Sequence, residues 1–131
     1  MASLIYLDTH VVAWLYAYGR DAVPQRVGHL LEQSDDIRIS PMVRLELQYL
    51  FEIGRVSKPP LPVLDALASA LGLVVCKAAF PAIVREAESQ TWTRDPFDRL
   101  IVAQANLFNA LLVTKDATIH ANYGQAIWDQ R

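Results

Sequence analysis

The sequence predicts an α/β domain with a mostly parallel sheet of four or five strands. Short apolar or β-branched runs alternate along the chain with longer segments of helical period, which is typical of this class. The first run, LIYLD from Leu4, is apolar on both faces, as a central parallel strand is. With 131 residues, 53% of them hydrophobic, we expect one compact domain over residues 1–131.

Two helices are predicted after the first strand. The segment VVAWLYAY from Val11 is apolar around its whole circumference, so it predicts a buried helix that ends near Gly19. The second helix is amphipathic, and its first turn can hold Pro24. Its apolar face has the spacing of Val27, Leu30 and Leu31.

The next strand and helix have clear boundaries. The run IRIS from Ile37 predicts the second strand. Ser40 followed by Pro41 favours a helix start, because serine caps helices and proline suits the first helical position. We expect this helix to run to about Ile53, before Gly54.

The second half continues the alternation. Residues that interrupt helices and strands are densest at SKPPLP, which predicts an internal loop. The remaining predicted elements are a helix from Leu61 to Leu71 before Gly72, a strand at LVVC, a helix at AIVREAESQ after Pro81, a helix from Asp95 and Pro96 through ANLFNA, a strand at LLVT up to Thr114, and a short last strand at AIW from Ala126.

Composition narrows the function classes. The lone Cys76, in the apolar run LGLVVC, allows neither an intrachain disulfide nor a cysteine-based metal site, so we interpret it as a core residue. The net charge of −2 argues against a protein that holds nucleic acid by a broad basic surface. If the substrate is a nucleic acid, the positive charge must be local, and a bound divalent cation would supply it. No apolar stretch is long enough to cross a bilayer and no signal peptide opens the chain, so we expect a cytoplasmic protein.

Four carboxylates occupy unusual positions. Glu46 shares a helical face with apolar Val43, Leu50 and Ile53, and Asp98 heads the apolar stripe of Ile101, Val102 and Ala105. Asp8 and Asp116 follow apolar strands at their carboxyl ends, the edge where open parallel sheets bind ligands. We therefore expect Asp8, Glu46, Asp98 and Asp116 to meet in one crevice.

Such a crevice needs compensation for its charge. Two carboxylates about 4 Å apart repel by roughly 4 kcal/mol at an effective dielectric near 20, so either some are protonated or a cation lies among them. An all-oxygen set favours Mg²⁺ or Mn²⁺, which act together with substrate phosphates. One ion, or a pair about 3.5 to 4 Å apart, would support in-line displacement at a phosphodiester, with a carboxylate as base that the sequence does not identify.

Each acid also has a purely structural interpretation. Asp95 is a natural N-cap, and Asp98 then lies where the helix dipole favours an acid. Asp8 is a candidate cap and Asp116 a candidate turn residue. Glu46 has a buried ion pair with Arg44 or Arg99 as its alternative.

The neighbours of the acids are also candidates. Thr9 and Thr114 flank them, as hydrogen-bond partners of a carboxylate or water, or as ordinary cap and strand residues. Arg94, Arg99 and Lys115 are next to, or one residue from, a proposed site acid, and either contact phosphates of a nucleic-acid substrate or balance the acidic charge. The histidines, at positions 10, 29 and 120, show no ligand spacing, which favours surface or structural roles.

Four segments resemble one family. LIYLDTHVVAWL, SPMVRLEL, RDPFDRLIVAQA and LLVTKDATI are similar in order and spacing to the PIN-domain toxins of the VapC type, over nearly the whole chain. The resemblance implies a three-layer α/β/α fold and Mg²⁺- or Mn²⁺-dependent cleavage of RNA. It also implies a homodimer and a small VapB-like antitoxin, which lays a helix across an apolar groove and inserts a segment into the acidic site.

The resemblance implies site residues too. The four acids of the family fall on Asp8 in LDTH, Glu46 in RLEL, Asp98 in PFDRL and Asp116 in TKD. Asp95 in RDPFD matches an acid common to one branch, where it would orient Arg99 or a water molecule.

Two other function classes compete with a ribonuclease. A signalling receiver domain is also α/β with acids at the carboxyl edge, but it requires an aspartate after the third strand, where this chain has Cys76 and Lys77. A catalytically silent module that binds RNA or protein is the second alternative, and the intact set of acids counts against it.

Overall fold

The computed structural model describes residues 4–129 and contains one five-stranded sheet. The strands are β1 (Ile5–Leu7), β2 (Ile37–Ile39), β3 (Val74–Val75), β4 (Leu111–Val113) and β5 (Ala126–Ile127). Their order is β3-β2-β1-β4-β5, and all four neighbouring pairs are parallel. The predicted α/β class with a parallel sheet is confirmed.

Seven α-helices flank the sheet in this part of the chain. They are α1 (Thr9–Tyr18), α2 (Gln25–Gln33), α3 (Pro41–Glu52), α4 (Pro60–Leu71), α5 (Phe80–Ala87), α6 (Pro96–Leu107) and α7 (Ala117–Asn122). The sequence predicted the first six. It missed α7 and the 3-10 helix Gly19–Ala22, because such short segments show no helical period.

Local capping chemistry explains several boundaries. The Ser40 hydroxyl accepts the backbone N–H of Met42 at 3.1 Å, and Pro41 opens α3 as predicted. Gly72 ends α4 with a left-handed φ of 71°, a conformation that glycine adopts without a steric penalty. Two details differ from prediction: Pro24 precedes α2 instead of lying in its first turn, and α5 begins at Phe80, ahead of Pro81.

The expectation that α1 is buried all round is wrong. Val11, Val12 and Leu15 are buried, but Ala17 is exposed and Tyr18 is 71% exposed. A fully apolar circumference shows that either side can be buried, not that partners exist on both sides. The second side of α1 borders an open groove.

The strand order determines where a ligand site can form. The chain leaves central β1 towards β2 on one side, whereas β4 pairs with the other side of β1. In open α/β sheets the crevice beyond the carboxyl ends of two such strands is the usual binding position. Among residues 4–129, no helix is both long and apolar enough to span a membrane.

Candidate active site

Asp8 lies at the carboxyl end of β1 and is only 7% exposed. Its backbone N–H donates to the Val113 carbonyl at 3.0 Å, which ties the ends of β1 and β4 together. Its carboxylate accepts the Thr9 backbone N–H on Oδ1 at 2.8 Å and the Thr114 hydroxyl on Oδ2 at 2.7 Å. Asp8 therefore caps α1, as its structural interpretation requires, and also has a fixed orientation at the crevice.

Glu46 reaches the same place from the second turn of α3. The Thr9 hydroxyl donates to Glu46 Oε1 at 2.5 Å, so Thr9 links the two acids, with its N–H on Asp8 and its hydroxyl on Glu46. Thr9 and Thr114 thus both contact carboxylates, one of the two roles considered for them. Among residues 4–129, the ion pairs do not include Glu46, which disfavours a pair with Arg44 or Arg99.

The first turn of α6 contributes two more acids. The Asp95 carboxylate accepts the N–H groups of Phe97 and Asp98 at 2.9 and 3.4 Å, so Asp95 is the N-cap. The Asp98 side chain, half-buried, lies in this first turn without a hydrogen bond or ion pair in the described part of the chain. The cap orients the helix, and Asp98 is left to face the other acids.

Asp116 follows β4 and caps a helix, whereas its structural interpretation from sequence was a turn residue. Its Oδ1 accepts the N–H groups of Thr118 and Ile119 at 2.8 and 3.0 Å, so it is the N-cap of α7. Its own N–H donates to the Thr114 hydroxyl oxygen at 3.1 Å. The same threonine that holds Asp8 therefore also positions the backbone of Asp116.

These acids line one pocket of about 420 Å³. Its lining residues are Asp8, His10, Val11, Trp14, Glu46, Asp95, Asp98, Lys115 and Asp116. The four acids predicted to converge come from four separate segments of the chain, and the fold brings all four to this pocket.

The pocket is electrostatically unfavourable for carboxylates. Burial, together with the charges of Asp95, Asp8, Asp116 and Glu46, raises the pKa of Asp98 to about 7. Burial also raises the pKa of Asp8, although its hydrogen bonds from Thr114 and Thr9 favour the ionised form. For Glu46, burial and the nearby Asp8 raise the pKa against the hydrogen bond from Thr9.

Nearby cations compensate this charge only weakly. Lys115 lines the pocket, but its ammonium lies 5.9 Å from the centre of the Trp14 ring and forms no ion pair with an acid in the described part of the chain. Arg99, expected to act near the acids, instead donates to the carbonyls of Ala87 and Glu88 at 3.2 to 3.3 Å. The interpretation of Arg99 as a cation that balances the acids therefore does not match its position.

Arg94 also lies away from the acids. Its guanidinium donates to the Thr91 carbonyl at 2.9 Å, and it lines a separate surface depression with Arg99. Of the three cations considered for RNA contact, only Lys115 lines the acidic pocket.

The donor chemistry of the pocket suits a hard cation, but the side chains do not form a finished metal site. Carboxylate oxygens are the ligands that Mg²⁺ and Mn²⁺ prefer, and their unfavourable ionisation is what a bound cation would relieve. Within residues 4–129, however, no three His, Cys, Asp or Glu side chains are placed to hold one ion. Asp8, Glu46 and Asp116 instead accept intramolecular hydrogen bonds.

Sequence reasoning missed His10 and Trp14 as pocket residues. His10 opposes the rise in pKa of both Asp8 and Glu46, and its ring lies 6.0 Å from that of Trp14. The sequence did contain a signal for their position. His10 and Trp14 follow Asp8 by two and six residues, in the first turns of the helix that Asp8 caps, so both start close to the predicted site.

Comparisons with known proteins agree with this geometry. The sequence profile of the PIN domain family matches residues 5–124. The chain is 29% identical over 126 residues to ribonuclease VapC22 of Mycobacterium tuberculosis, and the match covers 92% of each chain.

Two solved structures share the fold. One is VapBC2 from Rickettsia felis bound to a DNA fragment from their promoter, with a TM-score of 0.65, 23% identity, and coverage of 96% of this chain and 99% of that chain. The other is a toxin-antitoxin complex from Klebsiella pneumoniae, with a TM-score of 0.66, 17% identity, and coverage of 95% and 96%.

Proposed function

This chain belongs to the PIN-domain family, and on that premise we propose that it is a metal-dependent ribonuclease that serves as the toxin of a toxin-antitoxin pair. The similarity to ribonuclease VapC22 over 92% of both chains supports RNA as the substrate. The family assignment disfavours a receiver domain, and the complete set of acids disfavours a silent binding module.

The convergence of Asp8, Glu46, Asp98 and Asp116 carries this proposal. Carboxylates from four segments share one pocket, where burial and mutual repulsion raise the pKa of Asp98 to about 7. A fold gains no stability from such an arrangement, which is typical of functional sites. We assign the four acids as the residues that would hold Mg²⁺ or Mn²⁺.

The other residues of the site then have defined tasks. When bound, a divalent cation would offset the charge of the phosphodiester and activate water for in-line displacement. Thr9 and Thr114 hold Asp8 in one orientation, and Thr9 also holds Glu46, so the ligands are pre-organised by hydrogen bonds. Lys115, at the rim of the pocket, is the cation placed to meet a substrate phosphate.

We further propose a protein antitoxin and a homodimer as partners. Both solved neighbours are described as toxin-antitoxin or VapBC complexes, which supports an antitoxin. Large apolar side chains are exposed on α3 and α4, namely Leu45, Tyr49, Phe51 and Leu61, and these surfaces would be covered in a complex.

A chelator-controlled ribonuclease assay tests the proposal. We expect the wild-type protein to cleave RNA with Mg²⁺ or Mn²⁺, and to lose this activity in chelator. Asp8→Asn and Asp98→Asn should abolish cleavage, because each removes a carboxylate from the pocket. Equal cleavage in chelator, or equal cleavage by either variant, contradicts the proposal.

The matched control is Asp65→Asn, which removes the charge of an exposed aspartate on α4, outside the pocket. This variant should keep wild-type activity. Circular dichroism of all three variants separates lost chemistry from lost folding.

A further inference from the structure

A second cavity adjoins the acidic pocket. This cavity, which we call the side groove, has a volume of about 520 Å³ and lies between α1, the end of α3 and α4. Its aromatic and basic lining residues are His10, Trp14, Tyr16, Tyr18, Arg55 and Lys58. His10 and Trp14 also line the acidic pocket, so the two spaces are adjacent.

The side groove carries positive charge that the fold does not use. Arg55 and Lys58 are exposed, and within residues 4–129 neither side chain forms an ion pair. The backbone N–H of Arg55 donates to the Leu50 carbonyl at 2.8 Å, which anchors this loop to the end of α3. In a chain of net charge −2, two unpaired cations beside an acidic pocket form a local attraction for an anion.

The opposite wall of the side groove is aromatic. Positions 10, 14 and 18 are spaced by four along α1, so their side chains lie on one face over a rise of ~12 Å. Tyr18 is 71% exposed and Trp14 is partly exposed. Exposed aromatic rings beside cations are the combination with which proteins bind single-stranded nucleic acid, stacking bases and pairing phosphates.

We propose that the side groove binds the single-stranded RNA segment next to the phosphodiester held in the acidic pocket. Arg55 and Lys58 contact its phosphates, and Tyr18 stacks on a base. This assignment rests on the proposed ribonuclease function. The position beside the acidic pocket and the two unpaired cations favour RNA over an apolar protein helix as the occupant. Double-stranded RNA, whose bases are already stacked, does not offer the ring faces that Tyr18 requires.

Binding is measured with a fluorescein-labelled, mixed-sequence single-stranded RNA of about 12 nucleotides, within the usual range of single-strand sites. Anisotropy is recorded with Asp98→Asn protein, which does not cleave under the proposed function. In that background, R55A/K58A should raise Kd about tenfold at low salt and reduce the slope of log Kd against log salt by about 1.4. Tyr18→Ala should raise Kd at least about fivefold for single-stranded RNA and leave duplex RNA unaffected.

The matched control is K77A/R85A, which removes the same charge from two exposed positions outside the groove and the acidic pocket. Its Kd and salt slope should equal those of the parent. In the cleaving protein, R55A/K58A should raise KM while kcat stays near wild type, because contacts away from the scissile bond contribute uniform binding.

The outcomes separate the two proposals. If R55A/K58A and K77A/R85A change RNA cleavage and RNA affinity equally, the side groove is not an RNA-binding site, but the proposed ribonuclease function stands. Loss of a protein partner by R55A/K58A with RNA affinity unchanged also overturns it, since the groove is then a protein-docking surface. A wild-type protein that neither binds nor cleaves RNA refutes the ribonuclease function itself.

Discussion

Replacing Asp98 by asparagine should stabilise the metal-free protein, which is unusual for a polar residue at a helix start. In the fold, burial and four neighbouring acids raise the pKa of Asp98 from its ordinary value of 3.8 to about 7. The native state therefore binds more protons than the unfolded chain between these pH values. The contribution of Asp98 to the free energy of unfolding falls as pH rises from about 4 to 7, and stays low above that.

The size of the effect follows from the same shift. A rise from 3.8 to about 7 corresponds to at most about 4 kcal/mol. Because Asp98 is only half-buried, water screens its charge, and we expect about 1 to 2 kcal/mol. For a domain of this size that is roughly 3 to 8 °C in Tm.

The assay is thermal unfolding in chelator, followed by circular dichroism across the pH range. The Tm advantage of Asp98→Asn over wild type should be near zero at about pH 4 and reach its full size above about pH 7. Adding Mg²⁺ at high pH should raise the Tm of wild type more than that of the variant, since a cation relieves the same repulsion. Asp65→Asn, at an exposed position on α4, should show no such pH dependence.

Two results would refute this reasoning. If Asp98→Asn is less stable than wild type throughout the pH range, the carboxylate makes a favourable interaction, as the helix-dipole interpretation of Asp98 requires. A stability difference that does not vary with pH would show that the acids do not raise one another's pKa.

Two further substitutions test the scaffold. Thr114→Val removes the hydroxyl that donates to the buried Asp8 carboxylate, and chemical denaturation should show a loss of about 1 to 3 kcal/mol; an unchanged midpoint contradicts the proposed role of this bond. Gly72→Ala forces a side chain into the left-handed conformation at the end of α4 and should lower the free energy of unfolding by about 1 kcal/mol. In the same titration Gly124→Ala should be close to neutral, because no positive φ is required there and the space is open.

Several features of the fold were predictable because their signals are local. The apolar run at LIYLD identified the central strand, and Ser40 with Pro41 identified the start of α3. Asp95 with Pro96 marked the start of α6 in the same way. Periodicity and capping act between residues a few positions apart, so the sequence itself displays them.

The four acids of the candidate site were predictable from the sequence, but their hydrogen-bond partners were not. An acid on an apolar helical face, or just beyond an apolar strand, points to the crevice whichever neighbours it has, and all four such acids line the pocket. The hydrogen-bond partners of these acids could not be read from the sequence, because they are far apart along the chain. The structure joins Thr114 to Asp8, 106 residues apart, and Thr9 to Glu46, 37 residues apart. It also directs Arg99 to the end of α5, away from the acids.

The sequence by itself therefore determined the α/β class, the main elements and the acids that face the crevice. Only the tertiary structure decided that β4 lies beside β1, that one side of α1 stays open, and that His10 and Trp14 line both the acidic pocket and the side groove. The physical reason is the range of the forces involved. Backbone capping and hydrophobic period are set within a few residues, whereas a hydrogen bond or a groove depends on how whole elements pack, and distant parts of the chain set that packing.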